Sequence, residues 1–117
     1  MLLFEMGNKA SVRGEATSAY QAARDHGSDL LDSLKEMNAE ARKTALETNN
    51  KDGDDLATPL IIAARDGKLD DVKVLLRYEA NIEARGTIKI DGQIVDGCTA
   101  LWVAATNGHL AVVRHLI

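Results

Sequence analysis

The chain repeats itself, and that constrains its fold more than any other feature. Thr58-Pro59-Leu60-Ile61-Ile62-Ala63-Ala64-Arg65-Asp66-Gly67-Lys68-Leu69 aligns with Thr99-Ala100-Leu101-Trp102-Val103-Ala104-Ala105-Thr106-Asn107-Gly108-His109-Leu110 at an offset of 99 − 58 = 41 residues. The match runs on: Val72 meets Val113, Leu75 meets Leu116, and Leu76 meets Ile117. A weaker copy precedes both at the same offset, with Ala22-Ala23-Arg24-Asp25 against Ala63-Ala64-Arg65-Asp66, and Leu31 and Leu34 against Val72 and Leu75. Its glycine has slipped by one, to Gly27. Self-similarity at this scale marks a stack of small units, none of which can bury its apolar face alone.

Each copy reads as two short helices. Thr58 can cap the first, and Pro59 suits the first helical position, where a missing N–H costs nothing. Leu60, Ala63 and Ala64 fall at i, i+3 and i+4, one apolar stripe. Gly67 and Gly108 end the first helix, because glycine adopts the left-handed conformation cheaply. Leu69, Val72, Leu75 and Leu76 share a face of the second helix, and Val74 widens it. The pattern resembles the ankyrin repeat, whose Thr-Pro-Leu-His-x-Ala signature appears as Thr58 to Ala63 and Thr99 to Ala104. Ile61 and Trp102 hold the position of its histidine. The expected fold is all-α: an ankyrin-repeat solenoid of about two and a half helix–turn–helix units.

Residues 18–57 are read as a first, degenerate repeat with a long loop, 58–98 as the second, and 99–117 as a truncated third. Residues 1–17 show no periodicity and are expected to be disordered. Asn49 to Asp55 reads as a polar loop. Glu79 stands where such repeats usually place glycine, at a site expecting positive φ. The apolar stripe runs to Leu116-Ile117 without a polar capping repeat, so the sequence is expected to be a fragment. With Leu116 and Ile117 exposed, it is expected to be marginally stable or to aggregate.

A spacing of 41 exceeds the usual repeat of about 33 by roughly 8 residues. The excess falls in 86–97. Ile88 and Ile90 alternate with Thr87 and Lys89, Asp91-Gly92 is a strong two-residue turn, and Ile94-Val95 supply a return strand. An inserted β-hairpin finger, rising beside the groove of the inner helices, is expected.

Composition narrows the function. One Phe, one Trp and two Tyr leave the core to Ala, Leu, Ile and Val. A net charge of −4, with no cluster of Lys and Arg, argues against nucleic acid. Cys98 is the only cysteine, so no internal disulfide is possible. The apolar run at Met1 to Phe4 is too short for a secretory signal, and no stretch approaches a membrane span. A cytoplasmic or nuclear location is the expectation. His26, His109 and His115 lack metal-ligand spacing. Asp52-Gly53-Asp54-Asp55 fails as a calcium loop, because Ala63 stands at the twelfth position. Gly67-Lys68 lacks the rest of a phosphate loop. Cys98 has no evident His or Asp partner. No catalytic residue, metal or cofactor is expected; the chain reads as a non-catalytic binding module.

Ala22 to Asp25, Thr58 to Arg65, the finger Gly86 to Gly97, and Leu101-Trp102 followed by Ala104-Ala105 together resemble the start of the Fem-one (feminization) family, over residues 18–117. That resemblance implies a substrate receptor of a cullin-two–elongin ubiquitin ligase, holding protein C-terminal tails that end in or near Arg. It implies that Asp91 receives the arginine, that Trp102 lines the same pocket, and that Gln93 sits at a variable pocket position. Ile90 replaces the family's usual Phe and removes an aromatic wall. Elongin and cullin would bind only through regions absent here, and half the pocket is expected to lie outside this chain.

Each candidate has a plainer role open to it. Asp91-Gly92 is good turn chemistry in itself, Trp102 can fill a core, and Asp96 can open the turn into the next repeat. Arg85, Lys89 and Gln93 can simply be solvated. A generic ankyrin scaffold for another protein partner is the alternative function, and an enzyme joined downstream is a third.

Overall fold

The computed structural model describes residues 17–25, 27 and 29–117. The disorder expected for 1–17 lies, Thr17 apart, outside the described residues, as does His26. The described chain is elongated, 49 × 28 × 22 Å.

Three helix pairs stand where the sequence counts about two and a half: α1 Ala19–Asp25 with α2 Leu30–Glu36, α4 Pro59–Asp66 with α5 Leu69–Arg77, and α6 Ala100–Thr106 with α7 Leu110–Leu116. Local chemistry sets their ends. The Asp32 amide donates to the Asp29 carboxylate at 2.8 Å, and the Ile61 amide to Thr58 Oγ1 at 3.4 Å. Gly67, at φ 71°, closes α4. α4 packs between its own partner α5 and α6 of the next repeat. Ala63, Ala64 and Ala104 are fully buried there, and their small side chains let the helices approach closely. Leu60, Ile61, Val72, Leu75, Val103 and Val112 fill the remainder. Leu116, expected at an exposed end, is buried by this packing, whereas Ile117 is exposed.

The long loop of the first repeat is structured. It holds a further helix, α3 Ala39–Glu47, capped by Asn38, whose side chain accepts from the Ala41 amide at 2.8 Å. Arg42 on α3 donates to the carbonyls of Leu34 and Met37 at 2.9 and 2.8 Å and lies over the Tyr78 ring at 4.6 Å. One side chain therefore ties α3 to the end of α2 and to the end of α5.

The all-α expectation needs correcting. The polar segment read as a loop forms β1 Asn50–Asp52 and β2 Asp55–Ala57, and β3 Gly86–Ile90 and β4 Gln93–Cys98 make a second hairpin. The four strands form one antiparallel sheet in the order β1-β2-β3-β4. The second hairpin thus lies against the first, with Leu56 opposite Thr87, and is not a finger standing alone. Ile88 explains why: it is fully buried, and an apolar strand face gains more by joining the core than by facing water. Gly86 permits the contact, since a Cβ there would stand 2.6 Å from that of Ala57.

Backbone strain falls where the sequence places it. Glu79 has φ 69°, in the left-handed region that favours glycine. Asp91 and Gly92 have φ 51° and 80°, the geometry of a two-residue hairpin turn.

Candidate functional site

β2 leaves its turn as β3 runs toward its own, and the two strands are antiparallel. Both hairpin turns therefore lie at the same end of the sheet. That end is rich in carboxylates. The Arg65 guanidinium, at the end of α4, reaches three of them: Asp55 at 2.6 Å, Asp52 at 2.7 Å and Asp66 at 2.8 Å. Its hydrogen bond to Asp66, with those to Asp52 and Asp55, holds its pKa above the ordinary arginine value against the opposing effect of burial. Asp55 also accepts the backbone N–H of Lys89 at 2.7 Å, and Lys89 Nζ meets Asp54 at 3.1 Å.

On this base the second hairpin carries three of the sequence candidates. Ile90 is half-buried and packs on the core, and it lies opposite the exposed Gln93. Asp91 occupies the turn between them, exposed, with no hydrogen bond or ion pair to any described residue. Trp102 is on a different element, the first turn of α6, where its backbone N–H donates to Thr99 Oγ1 at 3.3 Å. No hydrogen bond joins it to the hairpin among the described residues. Trp102 is 44% exposed and Leu101 38%, whereas Ile61 and Leu60, their counterparts one repeat earlier, are each 1% exposed. The same repeat position is thus core in one unit and open surface in the next.

Asp96 lies within β4, where its carboxylate accepts the Thr87 hydroxyl across the hairpin at 2.8 Å, and not in a turn into the next repeat. Arg85 donates to the Gly97 carbonyl at 3.2 Å. The Cys98 thiol is buried and hydrogen-bonds the Val95 carbonyl at 3.4 Å; burial, then the charge of Asp96, pushes its pKa up, away from a reactive thiolate. His109 Nε2 contacts the Arg65 carbonyl at 2.9 Å, so that ring nitrogen carries the proton. Among the described residues no group of three or more His, Cys, Asp or Glu could hold a metal ion, and no helix is long and apolar enough to cross a membrane. A cleft of about 430 Å³ lies between α3 and the end of α5, lined by Arg42, Leu46, Arg77 and Tyr78 among others, and none of the sequence candidates borders it.

Sequence reasoning missed the Arg65 node. Its one available signal is the run Asp52-Gly53-Asp54-Asp55, which reads in the sequence as a polar loop and fails as a calcium loop. Nothing in the sequence alone shows that Arg65 folds back onto it.

Residues 19–117 match ankyrin repeats in three copies. The chain is 40% identical over 102 residues to fem-1 homolog C of Xenopus laevis, which covers 86% of this chain and 16% of that protein. It is 42% identical over 62 residues to a fem-1 homolog of Drosophila melanogaster, covering 52% of this chain and 9% of that protein. The chain thus spans less than a fifth of the length of either relative.

Proposed function

The chain belongs to the ankyrin-repeat family and carries an ankyrin region of the Fem-1 kind, and on that footing we propose that it recognises protein C-terminal tails bearing an arginine, as the substrate-receiving part of a ubiquitin-ligase receptor. Ankyrin repeats are non-catalytic protein-interaction modules, so the chain supplies binding. Ubiquitin transfer, and the elongin and cullin contacts that lead to it, would belong to other regions and other proteins. A cytoplasmic or nuclear setting is part of the same proposal.

The observation that carries the reading is the Asp91 carboxylate at the tip of the second hairpin, unpartnered among the described residues. A guanidinium seeks a carboxylate fork, and an aromatic face adds cation–π attraction; Trp102, on α6, is 44% exposed. The sheet end supports a cationic ligand: Asp52, Asp54, Asp55, Asp66 and Asp91 outnumber Lys51, Arg65 and Lys89, five carboxylates to three cations. Ile90 leaves the pocket wall aliphatic.

The test is fluorescence anisotropy with short peptides ending in Arg, Lys or Ala. Arg-ending peptides should bind best, and Asp91→Ala or Trp102→Ala should weaken binding at least about tenfold, as expected for loss of a charge-assisted contact. Equal binding of all three peptides would favour a generic scaffold. Binding undiminished in both variants would remove the site.

A further inference from the structure

We infer that Asp55 and Arg65 are positioning residues for the hairpin that carries Ile90, Asp91 and Gln93. The inference rests on the binding site proposed above and explains how its geometry is held.

The second hairpin needs an anchor, because β2 and β3 pair at only one register position, Leu56 opposite Thr87. Beyond it the ladder gives way to a side chain. One oxygen of Asp55 accepts the Lys89 backbone N–H at 2.7 Å, one residue before Ile90 and two before Asp91. The other oxygen receives Arg65 at 2.6 Å. Arg65 also grips Asp52 on the far strand of the first hairpin, and Asp66 on its own helix. A single guanidinium therefore fixes the first hairpin to α4, and a single carboxylate passes that position on to the second. Both groups are well shielded, with the Asp55 and Arg65 side chains 10% and 18% exposed, which strengthens charge-assisted bonds.

The third repeat shows the contrast. At the 41-residue offset Asp96 replaces Asp55, but Thr106 replaces Arg65, so the unit that follows the hairpin carries no equivalent cation. Asp96 instead accepts a hydroxyl from within its own hairpin. The bridging role belongs to the Asp55–Arg65 pair alone among the described residues.

Arg65 allows a clean separation of roles. Its backbone carbonyl accepts from Asn107 Nδ2 at 3.1 Å and from His109 Nε2 at 2.9 Å, contacts that hold the next repeat. Arg65→Gln removes the guanidinium and leaves that carbonyl in place. Asp55→Asn keeps one oxygen to accept the Lys89 amide and replaces the oxygen that receives Arg65 with an NH2 donor.

The experiment uses the full chain, amide hydrogen exchange by NMR, and anisotropy with an Arg-ending peptide. Asp55→Ala should speed exchange of the Lys89 amide at least about tenfold while α4 amides such as Ile62 keep their protection, and should weaken the peptide by a similar factor. Asp55→Asn should restore most of the Lys89 protection. Arg65→Gln should weaken the peptide with repeat stacking unchanged. In the Asp91→Ala background the Asp55 substitution should cost little further affinity, because its effect runs through Asp91. A generally destabilising substitution would predict none of this pattern. Unchanged Lys89 exchange in Asp55→Ala overturns the anchor. Faster exchange with undiminished peptide binding overturns the link to the site. If the unaltered chain binds no Arg-ending peptide, the proposed function fails, and the Lys89 exchange still decides the anchor.

Discussion

The imidazole of His109 lies where a side chain on Gly67 would have to go: a Cβ at Gly67 would stand 2.6 Å from His109 Nδ1. Gly67 also has φ 71°, so two independent constraints require glycine there. Gly67→Ala should destabilise the chain by about 2 kcal/mol or more, from left-handed strain plus displacement of the ring. Urea unfolding measures the loss. His109→Ala in the same chain should return the steric part of it; strict additivity of the two substitutions would contradict the contact.

Glu79 offers the opposite case. It sits at φ 69° with an exposed side chain that makes no bond to a described residue. Glu79→Gly should relieve the strain and stabilise by about 0.5–1 kcal/mol, net of the freedom glycine adds to the unfolded chain. A lower denaturation midpoint for the glycine variant would show that Glu79 makes a contribution the backbone does not reveal.

Tyr20 on α1 donates to the Asp71 carboxylate on α5 at 2.7 Å, joining the first repeat to the second. Burial, then the hydrogen bond to Asp71 and its charge, raises the phenol pKa. A raised folded pKa means the native state holds its proton while the unfolded chain ionises from about pH 10. The contribution is therefore complete below about pH 10 and is lost as pH rises beyond it. Urea midpoints at pH 8 and pH 11 should differ more for the unaltered chain than for Tyr20→Phe. Equal differences would mean that Tyr20 ionises as freely folded as unfolded.

Ile61 and Trp102 hold one repeat position in two settings. Ile61→Ala should cost about 2–5 kcal/mol, because the side chain is 1% exposed and a cavity would remain. Trp102→Ala removes a larger side chain, yet should cost less, since 44% of the residue already faces water. Its effect should fall on peptide affinity. A stability loss for Trp102→Ala exceeding that for Ile61→Ala would make the tryptophan a packing residue.

Much of the helical framework is legible in one dimension. Thr58, Pro59 and Gly67 mark the ends of α4, and Asp91-Gly92 marks the turn of the second hairpin, because caps and turns depend on residues a few positions apart. β1 and β2 were not legible for a physical reason. Their inward-facing Asn50 and Asp55 are polar, and burial is made tolerable by partners far away: Ser18 donates to Asn50 at 2.8 Å, and Arg65 to Asp55. Hydrophobic alternation, the usual sign of a strand, is missing there. α3 has no counterpart in the other repeats, which is why its residues read in the sequence as part of a long loop.

What the sequence determined by itself is the repeat, its helix pairs and the turn that places Asp91 at a hairpin tip, since each follows from periodicity or short-range backbone preference. The tertiary structure alone decided that the two hairpins form one sheet, that Asp55 passes the position of α4 to Lys89 through Arg65, and that position 61 is core while position 102 is surface. Those outcomes depend on groups 10 to 34 residues apart meeting in space. Such meetings are set by how the helix pairs stack, which no local preference encodes.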